Sequence, residues 1–394
     1  MKLFRQIAAV TSMNLRSLPQ RAATSLVIVI GIAGVVAVLT SVLAMSTGMI
    51  KTMNNSGRDD RVIVLRNGST NETSSAVSRD SLRLIMDVPG VKRDDAGKPI
   101  LSGEALRLIS LHKKEDGSQV NVVLRGVGPQ LPELRPEVRI VEGRMFNPAV
   151  NEVIVGKSAA AQYSGVKLGD HVTSRRTIWT VVGIFESGGD SHQSEVMADA
   201  ETLITADGRG SFQNVTVMLD SPASFQKFKD ALTSNPALSL DVWKERDYYE
   251  QASKGISKVI SFLAYIVGGI MAVGAVFGAL NTMYSAVSER LREIATLRAM
   301  GFGATAMVVS VLAEALLLAA IGGAIGAAIA WAFFNGNTVS TGGTAMGQLI
   351  FDLTVSPRLM LVGIVWAAAI GLIGGLFPAI RAARLPVATA LRAI

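Results

Sequence analysis

The sequence predicts an α-helical integral membrane protein with four transmembrane helices and an extracytoplasmic α+β domain inserted between helices 1 and 2. Three observations predict it. Four apolar runs, 22–45, 259–283, 304–334 and 358–380, each reach the roughly 20 residues needed to cross a hydrocarbon core about 30 Å thick. Of the 394 residues, 49% are hydrophobic and only 18% charged, and the mean hydropathy is +0.39, values of a chain partly dissolved in lipid. Between the first two runs, residues 46–258 are of mixed polarity and long enough for one or two folded modules.

The arm 1–21 comes first. Leu3, Phe4, Ile7, Ala8, Leu15 and Leu18 recur at helical spacing with Arg5, Gln6, Asn14 and Arg16 between them. This suits an amphipathic helix along the inner membrane surface, with a frayed cytosolic tail as the alternative. Pro19 ends that helix before the first span. Ala44-Met45-Ser46 has the form of a signal-peptide cleavage site. Secretory apolar segments run to only about 7–15 residues, however, so the first run reads as a retained anchor.

Within 46–258 the pattern changes to short runs rich in Val and Ile, bounded by turn residues: 61–66, 120–127, 152–155, 177–185 and 215–219. Two helices intervene. One spans 78–88, capped by Ser78 and presenting Leu82, Leu84 and Ile85; the other spans 222–232, with Pro222 in its first turn. These predict an α+β domain, with a division into subdomains near Gly143 or Pro148. From 242 to 258 the chain reads as a polar helix, Glu250 and Lys254 standing at i,i+4. It is either a continuous stalk into the second span or a segment hinged at Gly255. A connector, 284–303, joins spans two and three, a hairpin, 335–357, joins spans three and four, and the tail is 381–394.

Cationic loops are retained on the cytoplasmic side. The arm carries Lys2, Arg5, Arg16 and Arg21, the connector Arg290, Arg292 and Arg298 against Glu289 and Glu293, and the tail Arg381, Arg384 and Arg392, whereas the hairpin has Asp352 and no Lys or Arg. Arm, connector and tail are therefore expected inside, the large domain outside. Those inner segments hold ten basic and two acidic residues; the remaining 28 basic and 29 acidic residues nearly cancel, although the whole chain is +7. No basic surface is left to displace phosphate counterions, so nucleic acid is not an expected partner.

Chemistry of sites is sparse, and no catalytic, cofactor or metal site is expected. Zero cysteines exclude disulfides and thiolate ligands. Gly156-Lys157-Ser158 ends like a phosphate loop, but Asn151 stands where its first glycine is needed. His112, His171 and His192 are widely separated, form no HExxH motif, and read as surface residues. Asp190-Ser191-His192 holds triad residue types without a nucleophile elbow, and adjacent residues rarely converge on one substrate atom. Inside the spans, Glu314 is costly unless it faces the bundle, a partner or water, and it reads as a paired structural carboxylate. Gly274 with Gly278, Gly322 with Gly326, and Gly371 with Gly375 form GxxxG pairs suited to close helix packing.

The connector places Val287, Leu291 and Ile294 on one helical face and Glu289, Arg292 and Glu293 on the other. That geometry suits docking into a protein groove. The run Ser288-Glu289-Arg290-Leu291-Arg292-Glu293-Ile294, with Leu297-Arg298-Ala299-Met300-Gly301 after it, resembles the coupling region of the MacB/FtsX-type permeases of ABC transporters. So do Glu314-Ala315-Leu316-Leu317 with Gly322-Gly323 in the third span, Phe377-Pro378-Ala379 and Arg381-Ala382-Ala383-Arg384-Leu385-Pro386 near the end, and Glu142-Gly143-Arg144, Glu152-Val153-Ile154-Val155-Gly156 and Val181-Val182-Gly183 in the large domain. The similarity covers essentially the whole chain.

The resemblance implies a bacterial cytoplasmic-membrane protein, a dimer with a second permease chain, seated on two cytosolic ATPase subunits. An arm of this length has no room for an ATPase module, so ATP and Mg are expected in a separate partner. Glu289, Arg290, Arg292, Glu293 and Arg298 are the expected polar contacts to that ATPase, Leu291 and Ile294 its apolar anchors, and Gly301 closes the coupling segment. Hydrolysis would shift the bundle between two arrangements and carry movement outward. The output is export or extraction of a lipid, lipoprotein, peptide or amphiphilic compound, with room for a periplasmic adaptor and an outer-membrane component. The alternative is signalling, in which the same lever activates a cell-wall hydrolase.

Overall fold

The computed structural model describes residues 2–235, 238–341 and 347–384, without the side chains of Lys2, Leu3, Leu15 and Leu18. The tail from Leu385 onward, with Arg392, lies outside the described residues, as do the side chains of those arm positions. The chain forms two units: a helical one, 1–47, 257–337 and 353–394, and an α+β one, 48–256 and 338–352.

In the helical unit α1 (Lys2–Ser17) ends at a 3-10 turn, Leu18–Arg21, that contains Pro19. Then come α2 (Ala22–Ser56), α3 (Glu245–Glu289), α4 (Leu291–Ala299), α5 (Ala304–Phe334) and α6 (Pro357–Arg384). Among the described residues four helices, α2, α3, α5 and α6, are long and apolar enough to cross a membrane. α3 runs as one continuous helix through Gly255. The arm is not detached: Val10 is in the bundle core, Asn14 donates to the Ser310 hydroxyl, and Gln6 Nε2 donates to the Gly301 carbonyl at 3.4 Å. Phe4 faces away, fully on the surface.

Small residues set the helix spacing around α5. A Cβ on Gly326 would sit 2.4 Å from the Ala33 carbonyl of α2, and one on Gly322 2.9 Å from that of Val29. On α6, Cβ atoms at Gly371 and Gly375 would meet the Ala319 and Ala315 side chains at 2.5 and 2.6 Å. Backbones this close exclude any larger side chain. Gly274 and Gly278 behave differently: a Cβ there meets nothing within 4 Å, and Val273 and Phe277 beside them are exposed. Among the described residues the packing expected of this pair is not made, because α3 approaches α6 through a different face, where Gly374 lies against Ala279.

The α+β unit is built on one mixed sheet, whose main path runs Leu240–Lys244, Arg61–Arg66, Asn214–Met218, Leu101–Lys113, Gln119–Val127, Val196–Asp199, Glu152–Gly156, Thr177–Glu186, Arg139–Gly143. Two of its pairings are parallel, 196–199 with 119–127 and 152–156 with 177–186. One core gathers Val62, Val64, Val215, Val217 and Phe228; another gathers Val122, Leu124, Val153, Val155, Trp179 and Val181. The helix Arg79–Met86 is capped as expected, the Ser78 hydroxyl accepting from the Ser81 N–H at 3.0 Å.

Three expectations are corrected. The chain near Gly143 and Pro148 is not a boundary, since Arg139–Gly143 pairs with Thr177–Glu186 across a bulge in the same sheet. Residues 240–244 form an edge strand on Arg61–Arg66 rather than the start of a helix, because Leu240 and Val242 alternate into the core. The hairpin between α5 and α6 is no simple loop: Thr338–Ser340 and Ile350–Asp352 pair antiparallel and join the α+β unit. Its consecutive apolar residues Leu349, Ile350 and Phe351 are all buried, and Tyr163 Oη donates to Gln348 Oε1 at 3.0 Å.

Candidate functional site

The elbow between α3 and α5 is assembled by one side chain. At Arg290 the backbone leaves helical geometry (φ −101°, ψ 12°), and the guanidinium turns inward, Nη1 to Glu314 Oε2 at 3.1 Å and Nη2 to the Ser17 hydroxyl at the end of α1. Arg290 and Glu314 are only 5% and 4% exposed. The carboxylate that the sequence singled out in the third span is thus an ion-pair partner, since neither charge tolerates such burial unpaired. α4 ends in a Schellman motif: the Phe302 N–H bonds to the Leu297 carbonyl and that of Gly301 to Arg298, with Gly301 at φ +93°, a conformation suited to glycine. Arg298 reaches the Ala383 carbonyl in the last turn of α6, and the Arg381 guanidinium lies 5.4 Å from the Tyr284 ring centroid.

This placement divides the expected coupling residues. Glu289, Arg292 and Glu293 are exposed. Leu291 is half-buried, and Ile294, expected as an apolar anchor, is packed in this chain's own core beside Val287. Arg290 is likewise removed from the surface set, because its charge is already spent on Glu314. Gly301 shapes the turn, and Arg298 holds the end of α6.

A second polar assembly lies inside the α+β unit, and sequence reasoning missed it. Arg125, 2% exposed, uses all its donors on three carboxylates: Nε and Nη2 on Glu195 at 2.7 and 3.0 Å, Nη1 on Glu104 at 2.6 Å, and Nη1 and Nη2 on Glu72 at 3.1 and 3.2 Å. Arg135 continues the chain, from Glu104 at 3.4 Å to Glu245 at 2.7 Å. Glu245, the first residue of α3 and fully buried, also accepts from Arg61 Nε at 2.6 Å and the Arg58 N–H at 3.1 Å. An acid in this position also suits the partial positive charge of a helix N-terminus. The one sequence signal was an arginine inside the run Val-Val-Leu-Arg-Gly-Val, where every neighbour is apolar.

His192, expected on the surface, is wholly buried, with Nδ1 3.1 Å from Glu195 Oε2. Its setting is this same assembly.

Burial would raise the Glu104 carboxyl, but Arg135 and then Arg125 override it and lower its pKa to about 2. Glu195 is likewise lowered, burial being outweighed by Arg125 and His192. Asp190 is raised, chiefly by burial, and works in the opposite sense. The sign follows from linkage. A depressed carboxylate contributes stability that is present above its unfolded pKa, about 4.3, and lost as pH falls through its folded value. Because Glu104 and Glu195, with Glu137 also lowered beside Arg61, outweigh the raised Asp190, the full-length chain in detergent should lose on the order of a few kcal/mol between pH 5 and pH 2. Guanidinium midpoints across that window check this; a flat profile contradicts it.

Two family models match the chain. A family model described as MacB-like periplasmic core domain matches residues 22–235, more than half of the 394, and one described as FtsX-like permease C-terminal matches 265–387. The macrolide export ATP-binding/permease protein MacB of Bdellovibrio bacteriovorus is 24% identical over 398 residues, covering 93% of this chain and 58% of that protein. The chain thus spans little more than half the length of that relative. The Bacillus subtilis protein YvrN, described as an uncharacterized ABC transporter permease, is 24% identical over 404 residues and 94% covered, as is this chain. Among solved structures, the periplasmic region of MacB from Actinobacillus actinomycetemcomitans shares 12% identity at a TM-score of 0.38, covering 52% of this chain and 97% of that one.

Proposed function

Since the chain belongs to the MacB-like family of ABC transporter permeases, with a periplasmic core domain and an FtsX-like C-terminal region, we propose that it converts ATP hydrolysis by a cytosolic ATPase into movement of its α+β unit. The movement drives export or extraction of a lipid, lipoprotein, peptide or amphiphilic compound. The elbow and both termini are cytosolic, the α+β unit is periplasmic, and the ATPase lies outside these 394 residues. Two such chains, or this chain and a related one, sit on an ATPase pair.

The observation that carries this reading is α3, a single 45-residue helix. Its first residue, Glu245, is held by two buried arginines, and its last, Glu289, adjoins the elbow. A continuous helix anchored at its first residue is suited to transmit displacement.

The exposed acids of the elbow provide the test. Glu289→Lys with Glu293→Lys should leave membrane insertion intact and reduce co-purification of the ATPase about tenfold or more, since like charges brought together at an interface cost several kcal/mol. Wild-type recovery would take these residues out of the interface. Identifying every co-purifying subunit in the same experiment separates export from signalling: an adaptor supports the first, a wall hydrolase the second.

A further inference from the structure

We infer that the buried turn Ser191–Ser194, with Asp190 and Glu195 at its ends, is the junction through which the α+β unit receives displacement from all four long helices. The inference rests on the reading above and names the residues of the α+β unit that would execute it.

Three separate chain segments converge on these residues, and each leads into spanning helices. The first is Ser56, the last residue of α2: its hydroxyl accepts from the Ser191 N–H at 2.8 Å and lies 2.8 Å from the Ser191 hydroxyl. The second is Tyr249, in the second turn of α3, whose hydroxyl is 3.4 Å from His192 Nε2, the two rings meeting edge to face. The two ring nitrogens of His192 thus face Glu195 on one side and the Tyr249 hydroxyl on the other. The third is the hairpin joining α5 to α6, where the Ser194 hydroxyl donates to the Ile350 carbonyl at 3.2 Å and accepts from its N–H at 2.9 Å. Output leaves through Glu195, both of whose oxygens grip Arg125 on the central strand Gln119–Val127.

The turn has no slack. Asp190 caps it, accepting from the Gln193 N–H at 3.2 Å and from the Ser187 hydroxyl. A Cβ on Gly156 would sit 2.2 Å from the Gln193 carbonyl. Polar residues are costly to bury, and here each helix-bearing segment is tied to the turn by a directional bond, Tyr249 adding a ring contact to its own. Ser191, His192 and Ser194 are accordingly positioning residues: they touch no substrate and fix where three inputs meet one output.

The experiment uses the full-length chain, co-purified with its ATPase in lipid nanodiscs, and follows amide hydrogen exchange with and without ATP. In the wild type, nucleotide should change exchange in strands 119–127 and 152–156. Ser194→Ala and Tyr249→Phe should each reduce that nucleotide-dependent change at least about fivefold, while the ATPase rate and the nucleotide-free exchange stay near wild type. Ser194→Cys, which keeps a weaker donor and acceptor, should restore part of it. A merely structural role would instead raise exchange equally with and without nucleotide, and that result overturns the inference, as does a full nucleotide response in both variants. Should either variant misfold, Ser56→Ala reads the α2 input alone with the same two outcomes. A wild-type complex with no nucleotide response in the α+β unit would mean that the transmission reading itself has failed, and the junction falls with it.

Discussion

Arg125→Met should destabilise the α+β unit by about 3–5 kcal/mol, the range for removing one partner from a buried ion network. The cause is what remains. Glu72, Glu104 and Glu195 would keep their buried carboxylates with the central cation gone, and water could not replace it. For a unit of this size the loss corresponds to a fall in melting temperature of about 6–20 °C, measurable on the full-length chain in detergent through its β-sheet circular dichroism. Arg125→Lys should recover little. One ammonium cannot reproduce five N–H bonds held in a planar fork. Arg125→Met combined with Glu72→Met, Glu104→Met and Glu195→Met should regain much of the stability, because it removes Arg125 together with all three of its carboxylates while Arg135 keeps Glu245, and apolar replacement of a buried charged group with its partners is often close to neutral. A melting point for Arg125→Met within about 1 °C of wild type would mean that the network does not hold the sheet together.

How much of this could be read from the sequence depended on the range of the interaction involved. The four long helices were legible because crossing length and apolarity are properties of a contiguous run. The strand Arg61–Arg66 and the capped helix Arg79–Met86 were legible because alternation and a Ser cap are local signals. The ion network was not, because Glu72, Arg125, Glu195 and Glu245 meet only through the sheet order. The hairpin 338–352 resembled a simple connection because nothing within it indicates that Ile350 completes a distant core. Strand 240–244 was hidden by its brevity and by the helix that starts immediately after it.

The glycine motifs show the same limit within the bundle. Gly322, Gly326, Gly371 and Gly375 and the pair Gly274 and Gly278 share one spacing, yet only the first four sit where a neighbouring helix leaves no room for a Cβ. Spacing marks where close approach is permitted, and the partner decides whether it happens. In the elbow, the amphipathic pattern correctly placed Ile294 on a buried face. It could not say that the covering surface belongs to this chain's own bundle.

The distinction between an inward and an outward face at the elbow has a measurable consequence. Arg290→Ala should destabilise the full-length chain by about 3–5 kcal/mol, because Glu314 is left as an uncompensated buried carboxylate and the tie from the end of α3 to Ser17 of α1 is lost. Arg290→Met with Glu314→Met removes both charges and should return most of that stability, as judged by thermal unfolding and by monodispersity in detergent. Neither change alters the exposed acids, so the double variant should still retain the ATPase on purification at close to the wild-type ratio, where Glu289→Lys with Glu293→Lys does not. These outcomes would separate architecture from docking, the inward pair holding the elbow together and the outward residues serving the proposed contact. If Arg290→Ala proved as stable as wild type yet lost the ATPase, Arg290 would have to reach the partner itself, and the division of the elbow into an inner lock and an outer face would be wrong.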